Sequence, residues 1–313
     1  MELDATGKTV VTFNDQQAKV STVVVPEGVG AIGDYAFRGC HNLTSLTLPS
    51  SLTSIGDYSL AKCVGITSLK LPQSLTSIGY CGISGCGLTS LTLPRDVTII
   101  ANYALARCDS LISLILPPAA TTISMGMLAV CGSLTSLTLP PTLTSIGSRA
   151  LSRCSGLTSI SFPPGLTSIG YRAFASCSGL TSLSLPPTLT SIFGRAFIGC
   201  SGLSSLSLPH NLTNIGDNAF ENCTGLTSAI FRPRVPAAFI IWSVGNIGNT
   251  DNRKITTLKQ LHNVLRLITE FAFERRDVAC VDPDGRKGVF KGCVGLNVGN
   301  SSSQSNSKRK RNR

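Results

Sequence analysis

Residues 157–179 read LTSISFPPGLTSIGYRAFASCSG, and units of the same pattern recur nine times along the 313-residue chain. Cysteines stand at 40, 63, 86, 108, 131, 154, 177, 200 and 223, a step of 23 residues broken once by a 22 after Cys86. Prolines at 26, 49, 72, 94, 117, 140, 163, 186 and 209 keep the same step. A fixed period of this length marks a stacked repeat, in which each unit contacts only its neighbours.

Within a unit, Leu43, Leu46 and Leu48 follow the pattern L-x-x-L-x-L, so alternate side chains of a short strand point one way. Pro49 ends the strand, since it has no N–H for a ladder. Leu52 and Ile55 form a second extended piece, and Gly56 supplies a turn. The stretch Tyr58 to Lys62, like Tyr35 to Gly39 one coil earlier, is expected to form a single helical or 3₁₀ turn with Ala36 and Phe37 inward. Each coil should therefore run strand, turn, strand, half-helix, turn.

One coil offers about seven inward side chains, Leu43, Leu46, Leu48, Leu52, Ile55, Leu60 and Cys63, each contributing roughly 1.5–3 kcal/mol when buried. Ordering its residues costs on the order of 1–2 kcal/mol apiece, so a lone coil cannot fold. Stacked coils share buried faces and pair parallel strands about 4.8 Å apart, which gives an array of roughly 40 Å.

The unit L-x-x-L-x-L-P-x-x-L-x-x-I-G-x-x-A-F-x-x-C resembles the BspA-type leucine-rich repeat of bacterial and protist proteins, over about residues 20–231. The resemblance implies an α/β, right-handed leucine-rich repeat solenoid with a parallel sheet. It also implies, as in many family members, surface adhesion or partner binding. It brings no catalytic residues. The expected organisation is an N-terminal cap (1–19), the solenoid (20–231), a C-terminal cap with an amphipathic helix and a degenerate repeat (232–299), and a disordered basic tail (300–313). Leu258 onward, with Leu261, Leu265, Ile268 and Ala272 at helical spacing, carries the cap helix. Val289 to Leu296 echo the A-F-x-x-C-x-G-L part of a coil.

Nine periodic cysteines place one small thiol per coil at the same inward position, where Cys acts as a compact apolar residue. A line of thiols does not converge tetrahedrally, so no metal and no cofactor is expected. His41, His210 and His262 make no cluster, and the periodic serines have no individual environment, so no enzyme is expected. Gly245 to Gly248 is too short for a dinucleotide fingerprint, and Asp282 to Gly285 reads as a turn.

Outward positions of the L-x-L strands form a ladder of hydroxyls, including Ser45, Thr47, Thr92, Thr138, Ser161, Ser184 and Ser207, with Lys70 and Ile115 as interruptions. They are the candidate binding positions. Thr and Ser also simply suit exposed strand positions. Arg149, Arg153, Arg172 and Arg195 fall on the half-helix side of successive coils, where they form either a mild basic stripe or, as the first reading, a solvated outer face.

The net charge of +11 is uneven, with sixteen Lys/Arg against six Asp/Glu in residues 228–313. Lys308, Arg309, Lys310 and Arg311 resemble a nuclear import signal or a nucleic-acid contact. Met1 to Asp4 show neither a basic start nor an apolar stretch, and no run is long enough to span a membrane. The expected location is intracellular, cytoplasmic or nuclear. The expected function is a non-catalytic protein-interaction scaffold with a protein partner. Its alternatives are an adhesin-like protein binding host or glycan surfaces, should a leader precede this sequence, and a nucleic-acid-associated factor. The sequence leaves the oligomeric state open.

Overall fold

A computed structural model describes residues 1–13 and 20–231, and for 228–231 the backbone alone. The chain winds about nine times as a parallel-strand β-solenoid, and each coil adds its strands to its neighbours. The Leu-x-Leu strands fall into three blocks. Thr22–Val24 pairs with Ser45–Thr47; Ser90–Thr92, Ser113–Ile115 and Ser136–Thr138 form the second block; Ser182–Ser184, Ser205–Leu208 and Ser228–Phe231 form the third. The two gaps are the coils of Lys70 and Ser161, whose outward residues are expected on strands but make no ladder.

A second set of two-residue strands runs along the side of the coils. Ala31–Ile32, Ser54–Ile55, Ser77–Ile78 and Ile99–Ile100 continue from Thr9–Thr12. That first strand is closed by an antiparallel pairing with Glu2–Leu3. Five more, from Thr122–Ile123 to Asn214–Ile215, make a separate block. Thr53, Thr76, Thr144, Thr167, Thr190 and Thr213 precede these strands. Each hydroxyl donates to a carbonyl of the preceding coil at 3.0–3.2 Å.

The inward positions are as expected: Leu43, Leu46, Leu52, Ile55, Leu60 and Cys63 are buried, with Leu48 partly so. Phe174, Phe197 and Phe220 stack at 5.1 and 5.3 Å between centroids with planes within 5°. This aromatic column keeps the coil spacing. After the repeat cysteine, Gly87, like Gly179 and Gly202 in other coils, must lack a Cβ, which would collide with a carbonyl oxygen of the preceding coil.

Two expectations need correction. The fold class is β rather than α/β, since no helix occurs among the described residues. The half-helix is instead a series of turns with a left-handed residue at each end: Tyr58 (φ 52°) and Lys62 (φ 65°), or Arg149 (φ 56°) and Arg153 (φ 64°). A helix needs right-handed φ throughout, and two left-handed residues four apart forbid it. What this conformation gains is hydrogen bonding between coils. Tyr58 N, Leu60 N and Lys62 N donate to Tyr80 O, Gly82 O and Ser84 O at 2.7–2.8 Å, whereas helical N–H groups would bond within their own turn. The C-terminal cap helix, the degenerate repeat and the tail lie outside the described residues.

The cysteines also do more than fill space. Cys63 Sγ donates to Phe37 O at 3.0 Å, Cys154 to Leu128 O at 3.2 Å and Cys200 to Phe174 O at 3.1 Å, always into the preceding coil. Burial pushes the Cys154 thiol up to about 12 and the Cys108 thiol up to about 11, so both stay protonated donors. None of the nine repeat cysteines forms a disulfide among the described residues.

Candidate functional site

Each coil presents two kinds of surface. On the strand face, Ser45, Thr47, Thr92, Thr138, Ser184 and Ser207 are exposed, as are Lys70 and Ser161 in the gaps. Thr92, Ile115 and Thr138 stand side by side on adjacent rungs, and so do Ser184 and Ser207. Thr47 is opposite Val24. Thr138 and Ser161 flank a crease of about 340 Å³ at the second gap, with Leu137, Phe162 and Pro163 in its walls.

The hydroxyls of Ser45, Thr47, Thr92, Thr138, Ser184 and Ser207 make no side-chain hydrogen bond among the described residues. The neighbouring column differs. Thr44, Thr89, Thr135 and Thr181 donate to Ser21 O, Thr67 O, Ile112 O and Thr158 O of the coil before. A repeated hydroxyl is thus either a rung of the scaffold or an open donor, depending on its column.

The turn edge is chemically richer. All five tyrosines of the chain, Tyr35, Tyr58, Tyr80, Tyr103 and Tyr171, stand on it. Seven of the nine Lys/Arg between residues 20 and 227 do so too: Arg38, Lys62, Arg107, Arg149, Arg153, Arg172 and Arg195. The left-handed turn at each coil puts these side chains outside the backbone ladder, so their identity is free to change from coil to coil.

The N-terminal half of this edge is aromatic. Tyr35 stacks on Tyr58 at 5.2 Å, Tyr58 meets Tyr80 at 5.3 Å, and Tyr80 meets Tyr103 edge-on at 5.7 Å. Arg38 lies 5.4 and 5.5 Å from the centroids of Tyr35 and Tyr58, a cation–π arrangement. Desolvation, then Cys81 and Tyr80, push the Tyr58 phenol up to about 12. Asp34 and Asp57 accept the backbone N–H of Asp57 and Tyr80 at 2.7 and 2.6 Å, which ties three coils together.

Further along, the same edge turns basic. Arg149, Arg172 and Arg195 hold one position in three successive coils, and Arg153 holds the other left-handed position beside Arg149. Arg172 lies 5.3 Å over the Tyr171 ring, and Arg195 Nη1 donates to Tyr171 Oη at 3.5 Å. Where other coils carry a side chain next to the left-handed residue, Gly194 has none. This opens a notch of about 550 Å³ between Tyr171 and Asp217, with Gly216 and Asn218 completing it. The sequence contained a signal for this site in the shift from I-G-x-R to I-F-G-R at Ile192 to Arg195, which leaves Phe193 46% exposed. Sequence reasoning alone takes the arginines for a solvated face and passes over the tyrosines.

No group of three or more His, Cys, Asp or Glu suited to a metal ion occurs among the described residues, and no helix there is long and apolar enough to cross a membrane. Lys308, Arg309, Lys310 and Arg311 lie outside the described residues.

Coils of one length, stacked through parallel strands around a ladder of leucine, isoleucine and cysteine, define a solenoid repeat protein of the leucine-rich kind. The chain belongs to the BspA-type leucine-rich repeat family: residues 30–133 and 121–237 match the family described as BspA type Leucine rich repeat region (6 copies). Among solved structures it is similar to a leucine-rich repeat protein from Bacteroides ovatus, at 26% identity and TM-score 0.52, covering 69% of this chain and 74% of that one. The leucine-rich repeat protein of T. pallidum is 29% identical with TM-score 0.46, over 52% of this chain and 84% of that one. A leucine-rich cell surface protein from Faecalibacterium prausnitzii is 24% identical with TM-score 0.48, over 73% and 74%. No curated protein matches the sequence.

Proposed function

We propose that this chain is a non-catalytic scaffold that binds another protein, and that it binds along the turn edge of the solenoid. The observation that carries the reading is the gathering of every tyrosine and most of the cationic residues of the repeats on that edge. Tyr and Arg dominate binding hot spots because they bring large contact area or several donors at modest entropic cost. The backbone beneath them is fixed by hydrogen bonds from coil to coil, so little order has to be gained on binding.

A second reading keeps the strand face, where the hydroxyls of Ser45, Thr47, Thr92, Thr138, Ser184 and Ser207 make no side-chain hydrogen bond among the described residues. Photo-crosslinking groups placed at Arg107 and Met125 on the turn edge, and at Thr47 and Ser184 on the strand face, separate the two in the native host. Crosslinks to a protein from the turn edge are expected. Crosslinks from the strand face alone would transfer the site there, and none from either would remove the scaffold reading.

A further inference from the structure

Between Asp109 and Asp217 the chain contains no Asp, Glu or Lys; its charged residues there are Arg149, Arg153, Arg172 and Arg195. All four stand on the turn edge of three successive coils, and Arg195 lines the notch left by Gly194. None of them makes an ion pair among the described residues. Arg172 Nε is buried with no hydrogen-bond partner there. Four guanidinium groups at the coil spacing, with Asp217 as the one carboxylate lining the notch and no ion pair formed to it among the described residues, leave a net positive potential along this edge.

Large apolar side chains lie exposed among them: Met125 and Tyr171 at 39% and Phe193 at 46%. Phe193 occupies a column that is glycine in the coils on either side, Gly170 and Gly216, so it stands clear of its neighbours. Apolar area interleaved with forked donors suits a polypeptide with both acidic and apolar side chains. A sulfated sugar chain or a duplex phosphate backbone would engage the arginines but leave the aliphatic Met125 without a counterpart. The aromatic half of the edge lacks this character, because its rings face one another and Arg38 is held over two of them.

We propose that Arg149, Arg153, Arg172 and Arg195, with Met125, Tyr171 and Phe193, form a docking surface for an acidic, apolar-containing segment of a partner protein. The proposal rests on the scaffold reading and narrows it to the chemistry of the partner. Carboxylates of the segment meet the guanidinium forks, and an apolar side chain enters the notch against Tyr171 and Phe193. The backbone N–H groups of Arg149, Arg172 and Arg195 are bound to Tyr171 O, Gly194 O and Asp217 O at 2.8–3.2 Å, so the spacing of the arginines is set before the partner arrives.

The test is fluorescence anisotropy on the full-length chain with a short labelled peptide alternating glutamate with leucine and phenylalanine. A polyglutamate peptide, a sulfated polysaccharide and single-stranded DNA serve as competitors. The wild type and a tail variant, Lys308→Gln, Arg309→Gln, Lys310→Gln and Arg311→Gln, should bind the alternating peptide equally. The triple variant Arg149→Gln, Arg172→Gln and Arg195→Gln should bind it about tenfold more weakly with an unchanged melting temperature, and Phe193→Ser should weaken the alternating peptide but not polyglutamate. Equal binding by the triple variant, loss of binding in the tail variant, or stronger binding of the DNA or polysaccharide through the same arginines would each overturn the proposal. The wild type crosslinking to a partner while the triple variant keeps the same partner at full yield would leave the scaffold standing and remove this surface.

Discussion

The strand face and the turn edge are built from the same coils, yet they differ in how much each coil says. On the strand face the outward residues are Ser or Thr almost every time, and a reader of one coil knows most of the others. On the turn edge one position runs Tyr35, Tyr58, Cys81, Tyr103, Gly126, Arg149, Arg172, Arg195, Asn218. The reason is geometric. A strand position must fit a pleated ladder between two neighbours, whereas the side chain of a left-handed turn residue projects beyond the backbone ladder and meets mainly other side chains of the turn edge. Repetition therefore reports the architecture, and departures from repetition mark the surface where recognition is expected.

The sharpest way to break this comparison is at the core behind the strand face. Leu183 is buried while its neighbour Ser184 is exposed. Leu183→Asp should cost about 4 kcal/mol or more by burying an unpaired charge, and Ser184→Asp should stay within about 0.5 kcal/mol. Equal losses in thermal unfolding would mean that the two faces are wrongly assigned.

The thiol ladder gives the next largest effect, and it depends on pH. Cys108 and Cys154 have folded pKa values of about 11 and about 12 against an ordinary value of 9.0. The unfolded chain therefore releases protons that the native state keeps. Stability is full below pH 9 and should fall steadily as pH rises towards 11 and 12. Chemical denaturation at a series of alkaline pH values checks this, and a flat profile would refute the buried, protonated ladder. A thiol reagent at neutral pH should leave the nine repeat cysteines unmodified until the chain unfolds.

Smaller effects separate the two classes of hydroxyl. Thr167→Val removes a donor to Thr144 O and should cost about 0.5–1 kcal/mol, whereas Ser184→Ala removes a hydroxyl that makes no side-chain hydrogen bond among the described residues and should be nearly silent. The smallest expected change is a gain on the turn edge. Val130 sits at φ 67°, a position taken by Gly39, Gly85 and Gly199 in other coils. Relief of the left-handed strain, about 1–2 kcal/mol, is partly offset by glycine's greater entropy loss, so Val130→Gly should stabilise by about 0.5 kcal/mol. A lower melting temperature for this variant would show that the Val130 side chain contributes more through packing than its backbone loses.

Much of the fold was legible because its causes are local and repeated. The leucine spacing predicted the strands, Pro49 and its counterparts their ends, and the alternation which side faces inward. The half-helix was misread because Tyr58 to Lys62 and Arg149 to Arg153 carry residues that suit a helix, with no glycine to announce left-handed backbone. Hydrogen bonds to the next coil outweigh that local preference, and they exist only once coils stack. The candidate site was legible only in fragments. The arginines were visible, but the surface they form with Met125, Tyr171 and Phe193 depends on residues about one coil apart in sequence lining up along the stack.

By itself the sequence determined the period, the solenoid, the inward residues and the family, because a repeat writes its own packing pattern many times over. Tertiary structure alone decided the left-handed turns, the thiol donation into the preceding coil, and the division of hydroxyls into bonded rungs and open donors. It also decided the notch at Gly194. Each of these arises from atoms of adjacent coils brought within a few ångströms, a proximity that no single coil encodes.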